Sequence, residues 1–335
     1  MKRIEEETAA TAKRGAGIPE QVAIVTGTTS GFGLHICIEL ARSGVIVIAG
    51  MRRPEAGGEL KKAALGADRG SPAESDSAAD KADRDFAPAA DLEPLGEGPV
   101  SRLIRPIRLD VCDENRVREA VELVAAEYGR IDILVNNAGM AMGGFIEEIP
   151  QSGWREQFEV NVFGLIAMTS AVIPHMREAR RGCIVQMSSV SGAIGLPGYG
   201  PYVSSKFAVE GFSETLALEL APYGVRTYVL EPASYRTPIW DKGFAGIHRA
   251  ENSPNAAALD RMLDMSRASA ESGGDPRDVA KLAADLALGR RGRGRFRYVV
   301  PRGAALLAAL KKRLPFRLVQ AVMLRILRRG MKPPR

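Results

Sequence analysis

A β-branched run, Gln21-Val-Ala-Ile-Val-Thr26, leads through Thr26-Gly27-Thr28-Thr29-Ser30-Gly31-Phe32-Gly33 into a stretch whose apolar residues Leu34, Cys37, Ile38 and Ala41 recur at helical spacing. Few other stretches constrain the fold as strongly. Glycines between a strand and a helix allow a tight turn and a close approach of backbone to a ligand. They also leave the N–H groups and dipole of a helix N-terminus facing outward, where both favour an anion. That chemistry suits a dinucleotide pyrophosphate at the head of a parallel sheet. A plain strand-to-helix turn can look the same, so the reading depends on the rest of the chain.

Beyond the turn, strand and helix patterns alternate regularly. Strands are expected near Val22 to Thr26, Val45 to Ala49, Leu103 to Leu109, Ile131 to Asn136, Cys183 to Ser188, Val225 to Glu231 and Phe296 to Val300, with helical patterns filling most intervals. This pattern predicts an α/β fold: one doubly wound, parallel sheet of about seven strands with helices on both faces and ligands beyond the carboxyl ends of the strands. The 335 residues, 45% hydrophobic, can bury a large core. The domain is expected to span residues 19–300, after a disordered N-terminus of residues 1–18. Residues 54–100, with 11 acidic and 5 basic residues and no sustained period, read as a disordered acidic insertion. Residues 301–335 read as a basic amphipathic C-terminal helical extension broken at Pro315.

A second signature lies in Ile131-Asp-Ile-Leu-Val-Asn136-Asn137-Ala138-Gly139, an apolar strand ending in amides and a glycine. Together with the Thr-Gly-x-x-x-Gly-x-Gly turn, this Asn-Asn-Ala-Gly makes the chain resemble the short-chain dehydrogenase/reductase family from about Gln21 to Val300. The resemblance implies a Rossmann fold and a nicotinamide cofactor held by Gly27, Ser30, Gly31, Phe32 and Gly33, with Asn137, Ala138 and Gly139 at the end of the fourth strand. It also implies contacts to the adenine from Asp110 and Val111, although Asp110 could equally cap the helix after it.

Tyr202 and Lys206 are four residues apart and so share one helix face, where an ammonium can favour the ionised phenol. A Tyr brought toward neutrality in this way is a usable acid/base. Tyr199 has Val203 at the equivalent position and lacks such a partner. The family resemblance implies a catalytic serine 13 residues before the tyrosine, which selects Ser189 over Ser188, and a fourth position at Asn161 in Phe158-Glu-Val-Asn-Val-Phe-Gly. Under that scheme Ser189 and Tyr202 bind the carbonyl oxygen and Tyr202 donates the proton. Lys206 binds the nicotinamide ribose, and Asn161 holds a water that links Lys206 to solvent. Pro232 and Thr237 contact the nicotinamide, although Ala233 stands where the family carries glycine.

Cofactor choice is read at the end of the second strand, where an acid would bind a ribose 2′-hydroxyl and an Arg a 2′-phosphate. Ala49-Gly-Met-Arg52-Arg53 carries no acid, so NADP(H) is favoured over NAD(H), with Arg52 and Arg53 as the phosphate ligands. The substrate-covering segment should lie in residues 234–274, where Trp240, Phe244, Ile247, Met262, Leu263 and Met265 suit a bulky apolar alcohol or ketone, a small-molecule hydrophobic substrate. The Gly-Phe-Gly turn, the Arg-Arg pair and the basic tail resemble the retinol and hydroxysteroid dehydrogenase branch, which implies a steroid-, retinoid- or lipid-like substrate. Two alternatives stay open: reduction of a polar or acyl-carrier-bound ketone, and a non-catalytic nucleotide-sensing or membrane-associated scaffold.

Charge and cysteine usage set limits on partners. From Arg290 to Arg335 there are 15 basic and no acidic residues, which leaves 31 basic against 40 acidic before it. The basicity therefore belongs to the tail and not to the enzyme body, and no nucleic-acid partner is expected. The tail's Leu, Val, Ile and Met beside Lys and Arg suit either peripheral contact with a membrane or packing against protein. Cys37, Cys112 and Cys183 are isolated, and His35, His175 and His248 lack ligand spacing, so neither disulfides nor a metal site is expected. No run approaches a membrane span, and Met1-Lys-Arg-Ile-Glu-Glu-Glu lacks the apolar core of a signal peptide, so a cytoplasmic protein is expected, and the family resemblance implies a homo-oligomer.

Overall fold

The computed structural model describes residues 20–70, 92–292, 294–301, 303–304 and 313–328. In chain order the main elements are β1 (Val22–Thr26), α1 (Gly31–Arg42), β2 (Ile46–Met51), α2 (Gly58–Asp68), β3 (Ile104–Arg108), α3 (Glu114–Tyr128) and β4 (Ile133–Asn136). They continue with α4 (Gln151–Phe158), α5 (Gly164–Glu178), β5 (Gly182–Met187), α6 (Gly200–Leu220), β6 (Val225–Pro232) and α7 (Ile239–Ala245). The last are α8 (Ala256–Glu271), α9 (Pro276–Ala287), β7 (Arg297–Val300) and α10 (Phe316–Arg328).

The seven strands form one sheet in the order β3-β2-β1-β4-β5-β6-β7, every pair parallel. Strands covered on both faces read as continuous apolar runs, and all five residues of β1 are buried. One core layer packs Leu34, Ile38, Val279, Ala283 and Leu286 of α1 and α9 against the sheet. The other packs Val117, Val121, Met168, Val172 and Leu216 of α3, α5 and α6 against its opposite face. Fully burying side chains of this size stabilises the fold by about 1.5–3 kcal/mol each. The strand order reverses between β1 and β4, and this switch point opens the crevice in which the glycine turn lies.

Part of the expected insertion is folded. Within residues 54–100, α2 buries Leu60, Ala63, Ala64 and Ala67 against the α1 layer, and Leu95 and Val100 join the same core. The Asp68 carboxylate accepts from the N–H groups of Val100 and Ser101 at 2.6 and 3.1 Å, so the two ends of the segment are tied together. The sequence pattern missed this helix because its buried face is mostly alanine, which adds little apolar signal. Residues 71–91 and the N-terminal residues 1–18 lie outside the described residues.

Three smaller readings are refined. Asp110 does not cap a helix: its carboxylate accepts from the Cys112 N–H, and Asp113 caps α3 by accepting from Asn115 and Arg116. Helical structure from Gln151 through Glu178 is long and apolar enough by composition to cross a membrane. Met168, Val172 and Met176 are nevertheless fully buried in the core, as suits a core helix of the sheet. In the tail, α10 begins immediately after Pro315, as expected, while the preceding segment lies largely outside the described residues.

Candidate active site

The turn after β1 is held by its neighbours rather than by its own contacts. Gly27 adopts φ +70°, and a Cβ there would lie 2.8 Å from the Ala138 Cα. At Gly33 a Cβ would meet the Gly27 carbonyl oxygen at 2.3 Å and Asn137 Nδ2 at 2.5 Å. Asn137 donates to the carbonyls of Thr26 and Gly27, both at 2.9 Å. Thr26 Oγ1 in turn accepts from the N–H groups of Asn137 and Ala138, both at 3.0 Å. The two sequence signatures are thus one interlocked unit, with Asn137 and Thr26 as its pins.

This unit fits a dinucleotide. Ser30 stands at the N-cap of α1 without bonding back to the helix, so the first-turn N–H groups have no side-chain partner there. Gly31 adopts φ +60° at the start of α1, with Thr237 the nearest side chain to where its Cβ would lie. Arg52 and Arg53 are exposed just past the end of β2, with no acid beside them in the chain. On the same side of the crevice, Asp110 and Val111 follow β3, the neighbour of β2, and Val111 packs on the Gly164 backbone. Ala233 is not in the left-handed region, so the glycine that the family carries there is not required by the backbone. Pro232, Ala233 and Thr237 all line the cavity over the catalytic groups.

Ser189, Tyr202 and Lys206 converge at the carboxyl end of β5. The Ser189 hydroxyl donates to the Pro232 carbonyl at 3.4 Å and accepts from the Ser191 N–H at 3.1 Å. The Ser189 side chain is also near the Tyr202 phenol, whose ionised form it favours. The Lys206 ammonium donates to the Met187 carbonyl at 2.8 Å and lies 5.8 Å from the centre of the Tyr202 ring. One expectation is corrected here. Burial pushes the Tyr202 phenol up and the Ser189 side chain opposes it only in part, so the phenol is not brought toward neutrality in this arrangement. Burial also brings Lys206 down to about 8, against the pull of Glu210.

Asn161 sits in a π-turn, Glu159–Phe163, between α4 and α5. Such bulges often mark functional positions because they redirect a side chain within a helix. Its amide is buried and accepts from the Met140 N–H at 2.9 Å. It donates to the Met140 carbonyl at 3.0 Å and to Ser205 Oγ at 3.1 Å. Both of its N–H donors are thereby engaged, and the side chain fixes the loop after β4 rather than pointing a free donor at Lys206. Gln157, which the sequence pattern did not single out, holds the same loop by bonds of 2.8 Å to Met140 and Met142.

Above these groups lies a cavity of about 300 Å³. Trp240 of α7 and Met262 and Met265 of α8 wall it, as the sequence suggested, but Phe244, Ile247 and Leu263 do not. Phe244 instead stacks behind Trp240 with ring centres 6.0 Å apart, Ile247 abuts Gly143, and Leu263 is buried. Tyr199, unpaired with any lysine, lines the cavity and donates to Ser266 Oγ at 2.9 Å. Among the described residues no cluster of His, Cys, Asp and Glu could hold a metal ion.

Comparison with known proteins agrees with this geometry. A family model described as short chain dehydrogenase matches residues 78–247. The chain is similar to an uncharacterised oxidoreductase of Bacillus subtilis, YusZ, with 36% identity over 306 residues, or 91% of this chain and 97% of the relative. A 3-ketodihydrosphingosine reductase of Bacteroides thetaiotaomicron is 32% identical over 259 residues, or 77% of this chain and 80% of the relative. A solved short chain dehydrogenase/reductase of Burkholderia phymatum in complex with NAD has a TM-score of 0.68 at 25% identity. That match covers 88% of this chain and 93% of the other.

Proposed function

The chain belongs to the short-chain dehydrogenase family, an oxidoreductase with a nicotinamide cofactor acting on CH–OH groups, and from that premise we propose that it interconverts a hydrophobic alcohol and its ketone or aldehyde with NADP(H). The observation that carries the substrate class is the cavity above Ser189 and Tyr202, walled by Trp240, Met262 and Met265. Similarity to a 3-ketodihydrosphingosine reductase supports the same class, a ketone on a long apolar chain.

In this scheme the Ser189 and Tyr202 hydroxyls, which both line the cavity, hold the carbonyl oxygen. When bound, the cofactor supplies or accepts the hydride. Tyr202 releases its proton to the developing alkoxide, and a phenol whose burial disfavours ionisation keeps that proton until the oxygen becomes basic enough to take it. Lys206 binds the nicotinamide ribose and presents positive charge beneath Tyr202. Asn161 and Gln157 hold the loop that closes over the nicotinamide side. Gly27, Ser30, Gly31, Phe32 and Gly33 receive the pyrophosphate.

Exposed Arg52 and Arg53 support NADP(H), since each can make a charge-assisted contact to a 2′-phosphate. The tail beyond Val300 supports a peripheral membrane role that would deliver a lipid substrate. The intact constellation of Asn161, Ser189, Tyr202 and Lys206 weighs against a non-catalytic scaffold. The test is a screen of long-chain keto-lipids, steroid and retinoid alcohols, and a soluble ketoacyl thioester, each with both cofactors and with Arg52→Ala/Arg53→Ala beside the parent. Turnover of an apolar ketone with NADPH, weakened about tenfold or more in the double variant while NADH is spared, is expected. Turnover of the thioester alone, or a parent that prefers NADH, overturns the reading.

A further inference from the structure

One turn beyond Lys206 on α6, Glu210 carries a carboxylate with no part in the proton transfer from Tyr202. The residue is 9% exposed. Its Oε2 accepts from Arg297 Nε at 2.8 Å, while its Oε1 is buried without a hydrogen-bond partner among the described residues. Arg297 arrives from β7, the last strand of the sheet. Its other arm donates to Glu214 Oε2 at 2.5 Å, and its Nε lies 3.9 Å from Glu231 Oε1 of β6. Three carboxylates from two elements therefore share one guanidinium.

The Gly192 backbone locks Glu210 in place. A Cβ at Gly192 would lie 2.9 Å from Glu210 Cγ, 2.7 Å from Ser188 Oγ and 3.1 Å from the Lys206 carbonyl oxygen, so no side chain could stand there. A buried carboxylate with one oxygen unpaired is costly unless a nearby positive charge compensates. Arg297 compensates from one side; Lys206 is buried four residues earlier on the same face of α6, and the Glu210 carboxylate favours its ammonium form against the effect of burial. Lys206 is itself 7% exposed and donates to the Met187 carbonyl. The titratable and charged groups around this pair are Tyr202, Glu210 and Glu214 on α6, Glu231 on β6 and Arg297 on β7.

We propose that Glu210 is a positioning residue that keeps Lys206 in its ammonium form, and that Arg297 sets how much of the Glu210 charge Lys206 feels. The proposal rests on the reading of Lys206 as part of the catalytic machinery. It extends that reading across the sheet, because a residue of the last strand then governs the charge of a group on the central helix.

The two partners have opposite signs, and so do their expected effects. Removing the negative charge in Glu210→Gln lets Lys206 lose its proton at lower pH. Removing the positive charge in Arg297→Gln unmasks Glu210 and holds the proton to higher pH. A purely structural role for the pair would not give opposite shifts. The direct measurement is the titration of lysine ¹³Cε resonances in the full-length, cofactor-free protein, with Lys206 assigned by the loss of its signal in Lys206→Arg. Glu210→Gln is expected to lower the midpoint by about one pH unit and Arg297→Gln to raise it by about half a unit, with Glu210→Asp close to the parent. The alkaline limb of kcat/KM for reduction should move in the same directions. Midpoints that do not move, or that move the same way in both variants, overturn the proposal. If Glu210→Gln fails to fold, the upward shift in Arg297→Gln decides alone, and its absence is fatal. A fully active Tyr202→Phe enzyme would instead overturn the underlying catalytic reading, whatever the titrations show.

Discussion

Tyr202 and Tyr199 are three residues apart and both reach the cavity, yet their surroundings give them different work. Tyr202 lies near Ser189 and stands over the Lys206 ammonium, whereas Tyr199 donates to Ser266 on α8. Tyr202→Phe is expected to lower kcat for reduction by about 10²- to 10⁴-fold, the usual worth of a positioned proton donor, with cofactor affinity nearly unchanged. Tyr199→Phe should mainly alter KM, because it removes a bond that shapes the pocket wall and takes no part in proton transfer. Steady-state kinetics beside cofactor titration separate the two. Comparable loss of kcat in both variants would erase the distinction between them.

The glycine turn and the end of β4 work as a single element because side chains from each satisfy the backbone of the other. Thr26 is one of the two pins of this lock and is 1% exposed. Thr26→Val keeps the shape but leaves the N–H groups of Asn137 and Ala138 without their 3.0 Å acceptor. A loss of about 1–3 kcal/mol is expected, read as a fall of several degrees in Tm together with weaker cofactor binding. Thr26→Ser retains the acceptor and should stay near the parent in both measurements. Equal stability of the Val and Ser variants would show that these bonds do not hold the turn. At the same scale, α2 shows how an element escapes notice: alanines on its buried face and acidic residues around it look like solvated chain until a packed layer gives the alanines something to cover.

For the molecule as a whole, charge and apolar surface are unevenly distributed. Phe316, Leu318 and Val322 of α10 are more than half exposed, in a region that carries no acidic residue from Arg290 onward. The same helix packs against α8, which also contributes residues to the cavity wall. Apolar burial and attraction to anionic headgroups would act together on such a surface. Deleting residues 303–335 is expected to reduce co-sedimentation with anionic phospholipid vesicles and turnover of vesicle-borne ketone, while turnover of a small soluble ketone persists. A truncated protein that remains vesicle-bound would exclude the tail as the anchor. One that falls into inactive monomers would make the tail an oligomer contact instead.

Sequence by itself determined the seven strands, the glycine turn, the paired amides and the spacing of Ser189, Tyr202 and Lys206. Each is written within one element or one short connection, where periodicity and i to i+4 geometry act locally. It also singled out Trp240, Met262 and Met265, which line the cavity. Only the tertiary structure decided which of the apolar residues in 234–274 face the cavity, since that depends on how α7 and α8 fold back over the sheet. The same holds for Asn161, whose amide is engaged by a loop 21 residues earlier and by Ser205 of α6. Arg297 and Glu210 are 87 residues apart and meet only because β7 adds beside β6 under α6. Strand order is a global property of the packed sheet, so a charge pair that depends on it leaves no mark in any local pattern of residues.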